Sequence, residues 1–126
     1  MIGTLLQVAL GGAVGASLRW LAGVGIARLV TPGGFPVAIL TVNILGSVLM
    51  GAFVVLAAHR GLTHLSPLVM TGLLGGFTTF SAFSLETVTL IERGNWGQAG
   101  LYVLLSVGLS VGGLVLGVWA TRAVVA

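Results

Sequence analysis

The chemistry of this chain is concentrated in one run, Gly75-Gly76-Phe77-Thr78-Thr79-Phe80-Ser81-Ala82-Phe83. It offers hydroxyls, phenyl rings and main-chain carbonyls, groups suited to holding or passing an ion. The run lies inside a long apolar stretch, about Leu65 to Ile91, where a membrane-spanning helix is expected. Paired glycines and paired threonines are poor helix formers and invite an interruption there. Irregular backbone at membrane depth persists only where protein or a wet cavity receives its freed N–H and C=O groups. The run is therefore a candidate ion or substrate site.

Other polar residues at depth extend the set. Arg19 lies about fifteen residues into the first apolar stretch, too deep for easy snorkelling; it is either a functional charge or one paired inside the bundle, or else it binds helix-terminal carbonyls or lines a wet vestibule. Asn43 falls near the middle of the second, and an unpaired amide in hydrocarbon is expensive. It faces protein or water, as a pore-lining donor or as interhelical glue. Tyr102, Ser106 and Ser110 recur at a spacing of four, which puts their hydroxyls on one helical face. Each serine alone could bond back to its own helix, whereas the three in line read as a polar track. Phe80 and Phe83 flank Ser81. Their ring edges carry the positive pole of the aromatic quadrupole and suit a small hard anion. Glu86, a turn past Phe83, is a vestibule group or an interfacial cap, and His59 and His64 read as loop residues.

The elements that must position these groups follow from composition. The chain has 126 residues, of which 57% are hydrophobic and 6% charged. A soluble domain with so few charges could not keep its surface solvated. The expected class is an all-α integral membrane protein, and at roughly 20 residues per crossing there is room for about four spans. They are read as one four-helix domain over 1–126, with spans near 5–30, 35–58, 66–91 and 98–121. The turn after the first is placed at Thr31-Pro32-Gly33-Gly34. Neither a separate enzymatic domain nor a cleavable signal is expected. With no cysteine, thiolate metal sites and redox chemistry drop out, and scattered arginines make no nucleic-acid patch.

Orientation is undecided by charge. Arg60 and Arg122 fall on one side of the membrane, Arg28 and Arg93 on the other. The positive-inside rule then favours neither direction. Either one arginine's effective position tips the balance, or copies insert both ways and pair as an antiparallel homodimer with the inverted symmetry of many transporters. Small-residue spacings such as Gly108-Leu-Ser-Val-Gly112 permit close helix approach. Trp96, Trp119 and Tyr102 suit interfacial anchoring.

These residues together resemble the Fluc/CrcB family of fluoride channels over the whole chain. The strongest element is Gly75 to Phe83, similar to the family's broken third helix. Gly11-Gly12-Ala13-Val14-Gly15-Ala16-Ser17-Leu18-Arg19 and Val42-Asn43-Ile44-Leu45-Gly46 support it. The resemblance implies an antiparallel, dual-topology homodimer in a bacterial plasma (inner) membrane, with two pathways for passive fluoride export and no enzymatic activity. It implies a structural sodium ion at the dimer centre, held by main-chain carbonyls of Gly75 and Thr78 from both copies. Phe80 and Phe83 would supply ring edges, Asn43 a donor to the anion, and Ser81, Tyr102, Ser106 and Ser110 the polar path. Arg19 matches the family's span-one arginine. Ile39, a turn before Asn43, is apolar where a hydroxyl would extend the track, with Thr41 nearby. The rival reading is a proton-coupled exporter of organic cations, which needs a carboxylate deep in a cavity; the only acids are Glu86 and Glu92. A membrane protein of purely structural role would leave the glycine–threonine run unexplained.

Overall fold

The computed structural model describes residues 1–30 and 34–126. Helix α1 covers Ile2–Leu29 and α2 covers Val37–Arg60. A 3-10 turn, Thr63–Leu65, leads into a π-helical segment, Pro67–Leu74. The short α3 (Gly75–Phe77) and then α4 (Phe80–Glu92) follow, and α5 covers Trp96–Val125. Four stretches are long and apolar enough to cross a membrane: Ile2–Leu29, Val37–Arg60, Thr63–Glu92 and Trp96–Val125. They run a few residues past most of the span limits read from hydropathy, because helical hydrogen bonding continues into polar flanks such as His59-Arg60. Of the turn expected at Thr31-Pro32-Gly33-Gly34, residues 31–33 lie outside the described residues.

Local chemistry sets the visible ends. Gly61 takes φ +68°, a left-handed cap conformation that costs glycine no Cβ clash. The following Leu62 N–H donates to the Ala57 carbonyl at 2.8 Å, joining the Gly61 N–H on that acceptor. His59 and Arg60 sit in that last turn, where positive charge complements the helix dipole. Pro67 opens the π-helical segment, where its missing N–H is no loss.

Two close helix pairings organise the bundle: α1 against the π-helical segment and α3, and α2 against α5. Both depend on glycine. A Cβ at Gly15 would collide with the Leu73 carbonyl, and one at Gly76 would lie 2.8 Å from the Gly12 carbonyl oxygen. Between α2 and α5, a Cβ at Gly51 would strike the Leu114 carbonyl and one at Gly117 the Val48 carbonyl. Backbone-to-backbone approach of this kind supplies dispersion and weak Cα–H···O contacts where lipid offers no hydrophobic drive between helices. Gly113 faces Ile44 and Gly117 faces Val48 and Ala52, so α2 and α5 run in the same direction. Large apolar side chains such as Leu6, Leu10, Leu101 and Leu104 point outward, an arrangement stable only against hydrocarbon or another apolar surface. The small core, Phe83, Leu90, Ala99 and Tyr102, is flanked by Phe35, Ile39 and Leu40 and fixes α4 on α5.

Gly117→Ala forces a methyl into the Val48 carbonyl, and should destabilise the fold by about 1–3 kcal/mol. Gly23→Ala, where nothing lies within 4 Å of the added methyl, should leave stability unchanged or raised. Thermal unfolding of both variants in detergent checks the contrast.

Candidate functional site

Between α3 and α4 the backbone of two residues is extended: Thr78 has φ −90° and ψ 158°, and Thr79 has φ −153° and ψ 121°. The amides and carbonyls at this point find partners from outside the local helix. Asn43 of α2 closes a reciprocal pair with Thr79: the Thr79 N–H donates to Asn43 Oδ1 at 2.8 Å, and Asn43 Nδ2 donates to the Thr79 carbonyl at 3.0 Å. Arg19 of α1 donates from Nε to the Gly76 carbonyl at 3.0 Å. Thr79 itself caps α4, its hydroxyl oxygen accepting from the Ala82 N–H at 3.1 Å. Thr78 Oγ1 donates to the Leu74 carbonyl at 2.8 Å, joining the Thr78 N–H on the same acceptor.

These diversions leave carbonyls without their helical donors. The Thr79 N–H, four residues after Gly75, serves Asn43; the Ala82 N–H, four residues after Thr78, serves the Thr79 hydroxyl. The Gly75 and Thr78 oxygens thus lose their α-helical donors, as do those of Phe77 and of Gly76, which takes Arg19 instead, because α4 begins only at Phe80. Oxygen-only donors of this kind suit a hard cation. Among the described residues no group of three or more His, Cys, Asp or Glu could hold a metal by side chains.

A cavity of about 430 Å³ opens beside the extended residues, between α2, α4 and α5. Asn43, Thr78, Thr79, Phe80, Phe83, Ser106 and Ser110 line it, with Gly46, Ser47, Met50 and Leu114 further along. Gly46 is what lets Thr78 approach α2, since a Cβ there would collide with the threonine methyl. The Phe80 and Phe83 ring centroids are 5.3 Å apart at an interplanar angle of 55°. Phe83 is buried, but Phe80 is 77% exposed at the cavity mouth. Ser106 is buried, and its Oγ has no hydrogen-bond partner among the described residues.

The residues singled out from the sequence do not all converge. Asn43, Phe80, Phe83, Ser106 and Ser110 share the cavity. Tyr102 shares a helical face with the serines yet does not line the cavity. Its ring packs behind Phe83, with centroids 5.3 Å apart, and edge-on to Phe35 at 5.7 Å. Its fully buried hydroxyl has no partner among the described residues. Ser81 is exposed, with its oxygen 3.3 Å from that of Thr79. Glu86 is half-buried one turn beyond Phe83 and does not line the cavity. Ile39 packs against the Phe83–Tyr102 cluster, and Thr41 bonds back to the Val37 carbonyl, so neither extends the polar track. The sequence assigns no site role to the cavity residues Ser47, Met50, Val107, Val111 and Leu114, and it does not reveal Thr79 as cap and clamp. Ser47 was detectable, since it follows Asn43 by four and shares its face.

Residues 6–118 match the family model described as CrcB-like protein, Camphor Resistance (CrcB). The chain is 70% identical over 124 residues to the fluoride-specific ion channel FluC of Ruegeria sp. (strain TM1040), covering 98% of each chain. It is 60% identical over 122 residues to the protein of that name from Cereibacter sphaeroides (strain ATCC 17029 / ATH 2.4.9), covering 97% of each. Against the one from Caulobacter vibrioides (strain NA1000 / CB15N) identity is 46% over 125 residues, covering 97% of this chain and 98% of the relative.

Asn43→Ala strips the Thr79 N–H of its partner, at about 1–3 kcal/mol, and removes one donor from the Thr79 carbonyl, which as N-cap keeps the first bond of α4. Thr41→Ala removes only a bond to its own helix and should cost under about 0.5 kcal/mol. Unfolding midpoints in detergent should rank wild type level with the Thr41 variant and well above the Asn43 variant.

Proposed function

This chain belongs to the CrcB family, and from that premise we propose that it is a passive, selective fluoride channel that lets fluoride leave the cytoplasm. The observation that carries the reading is the cavity's donor set. Its polar lining residues are Asn43, Ser47, Thr78, Thr79, Ser106 and Ser110, of which Thr78 already spends its hydroxyl proton on the Leu74 carbonyl, and neither Glu86 nor Glu92 is among them. Neutral donors favour an anion and bind it loosely enough to release it. A proton-coupled exporter of organic cations would need a carboxylate in that place.

The mechanism follows from the groups present. Asn43 uses one N–H of its amide on the Thr79 carbonyl, which leaves the second N–H for an anion in the cavity. The reciprocal bonds hold that donor in one orientation, so the pore donor is preorganised and loses little freedom on binding. The Ser110 hydroxyl, on a half-buried residue of the cavity wall, is a second donor. The rings of Phe80 and Phe83 offer positive edges that partly replace water around a small ion. Weakly acidic HF crosses a bilayer uncharged and dissociates in a less acidic cytoplasm. The membrane potential then drives the trapped anion outward through a channel, with no chemical transformation and no energy source.

The exposed Phe80 ring beside an open cavity supports a pathway completed by a second copy. The proposed assembly is an antiparallel, dual-topology homodimer in a bacterial plasma (inner) membrane. The extended Thr78-Thr79 backbone then serves as the break of the family's third helix. A sodium ion fits the dimer centre on donor chemistry, held by the Gly75 and Thr78 carbonyls of both copies. Bound there, it would supply a central positive charge and pin the two copies together. Arg19, on the Gly76 carbonyl, anchors the end of α3 beside those ligands.

Liposomes containing only this protein, given a potassium ionophore, should release fluoride rapidly and chloride not at all. Phe80→Ile should abolish the fluoride release while leaving the protein folded. Fluoride retained by liposomes holding a folded dimer would overturn the channel reading. In buffers where N-methylglucamine replaces all sodium, release should fall and recover on adding sodium back; sodium-independent release would remove the ion from the proposal.

A further inference from the structure

We infer that Ser47 is a further anion-contacting residue, the donor that receives fluoride after Asn43; this rests on the channel reading above. Ser47 stands on α2 four residues beyond Asn43, on the same face and about 6 Å further along the axis. It is half-buried and lines the cavity that Asn43, Ser106 and Ser110 line.

The state of its hydroxyl separates it from the ordinary helical serine. Ser17, Thr41, Ser84, Thr87 and Thr89 each donate to the carbonyl four residues back, the usual fate of a hydroxyl in an apolar helix. Among the described residues Ser47 makes no such bond, and neither do Ser106 and Ser110, its companions in the cavity, nor Thr71 and Thr121 outside it. A hydroxyl held back from its own helix and turned to a cavity keeps its proton for a ligand.

Position along the path gives that proton a use. The register of α2 on α5 sets Gly113 beside Ile44 and Gly117 beside Val48. Ser110 therefore lies near the level of Asn43, and Ser47 one turn further toward the end that carries His59 and Arg122. The lining around that step is Met50 and Leu114, which donate nothing. An anion leaving the Asn43 amide in that direction meets either the Ser47 hydroxyl or an apolar wall, and an unpaired ion against such a wall is costly. Ser47 lowers the exit barrier, so its loss slows conduction without opening the pore to chloride.

The test compares wild type, Ser47→Ala and Ser47→Thr in liposomes, reading fluoride and chloride release under a potassium ionophore. Alanine should slow fluoride release about tenfold or more, the effect of losing one hydrogen bond to a charged group. Threonine, which keeps the hydroxyl, should stay within about threefold of wild type, and chloride should be retained by all three. Wild-type rates in the alanine variant would overturn the assignment, as would equal slowing in both variants, which marks a packing defect. Should alanine impair folding, Ser47→Cys keeps the volume with a poor donor and must slow fluoride in the same way. A wild-type protein silent to fluoride would sink the channel reading itself, and the Ser47 role with it.

Discussion

Everything at the centre of this molecule depends on the paired hydrogen bonds between the Asn43 amide and the Thr79 backbone. A chain that leaves helical geometry within hydrocarbon must find partners for each released N–H and C=O, and water is not at hand. A primary amide sets an N–H donor and a C=O acceptor side by side, matching the backbone's own pair, so one residue bonds both groups. The consequences spread outward from that pair. The Thr79 N–H no longer serves Gly75, Thr79 is placed to cap α4, and Phe80 begins a new helix at the cavity mouth. Arg19 deals with the neighbouring Gly76 carbonyl from the opposite side. The costliest residue in the apolar stretches thus has a backbone partner, and so does the central amide.

The close helix packing serves the same end. Gly15 and Gly76 bring α1 against the segment that precedes the extended residues, and Gly46 lets the Thr78 methyl reach α2. Without those approaches Asn43 would stand too far from Thr79 to bond it. The two bonds hold the Asn43 amide in one orientation, with no freedom left to lose. Neutral donors in an apolar wall make a shallow well for a small anion, deep enough to replace part of its hydration and shallow enough to release it. An arginine in the same place would bind more tightly and let go more slowly. In this chain the deep arginine donates to the Gly76 carbonyl and does not line the cavity.

The sequence by itself determined the class and the place of the chemistry. Apolar length and scarce charge leave only membrane-crossing helices, since no other open-chain structure satisfies its own backbone in lipid. The glycine and threonine doublets point to where helical bonding is weakest, and Asn43, Phe80, Phe83, Ser106 and Ser110 carry side chains whose chemistry is recognisable one at a time. Only the tertiary structure decided which of them meet. Tyr102 shares a helical stripe with Ser106, yet rotation of α5 against α4 puts its ring behind Phe83 rather than in the cavity. Ser47, with no striking neighbours in the chain, joins the lining because the register of α2 on α5 brings its face to Ser110. The Asn43 amide and the Arg19 guanidinium find backbone partners 36 and 57 residues away in sequence, which no pattern within one helix announces. Periodicity reports which residues share a face of one helix; it holds no information on how two helices are rotated and shifted against each other, and hydrogen bonds made at 3 Å are settled by that rotation and shift.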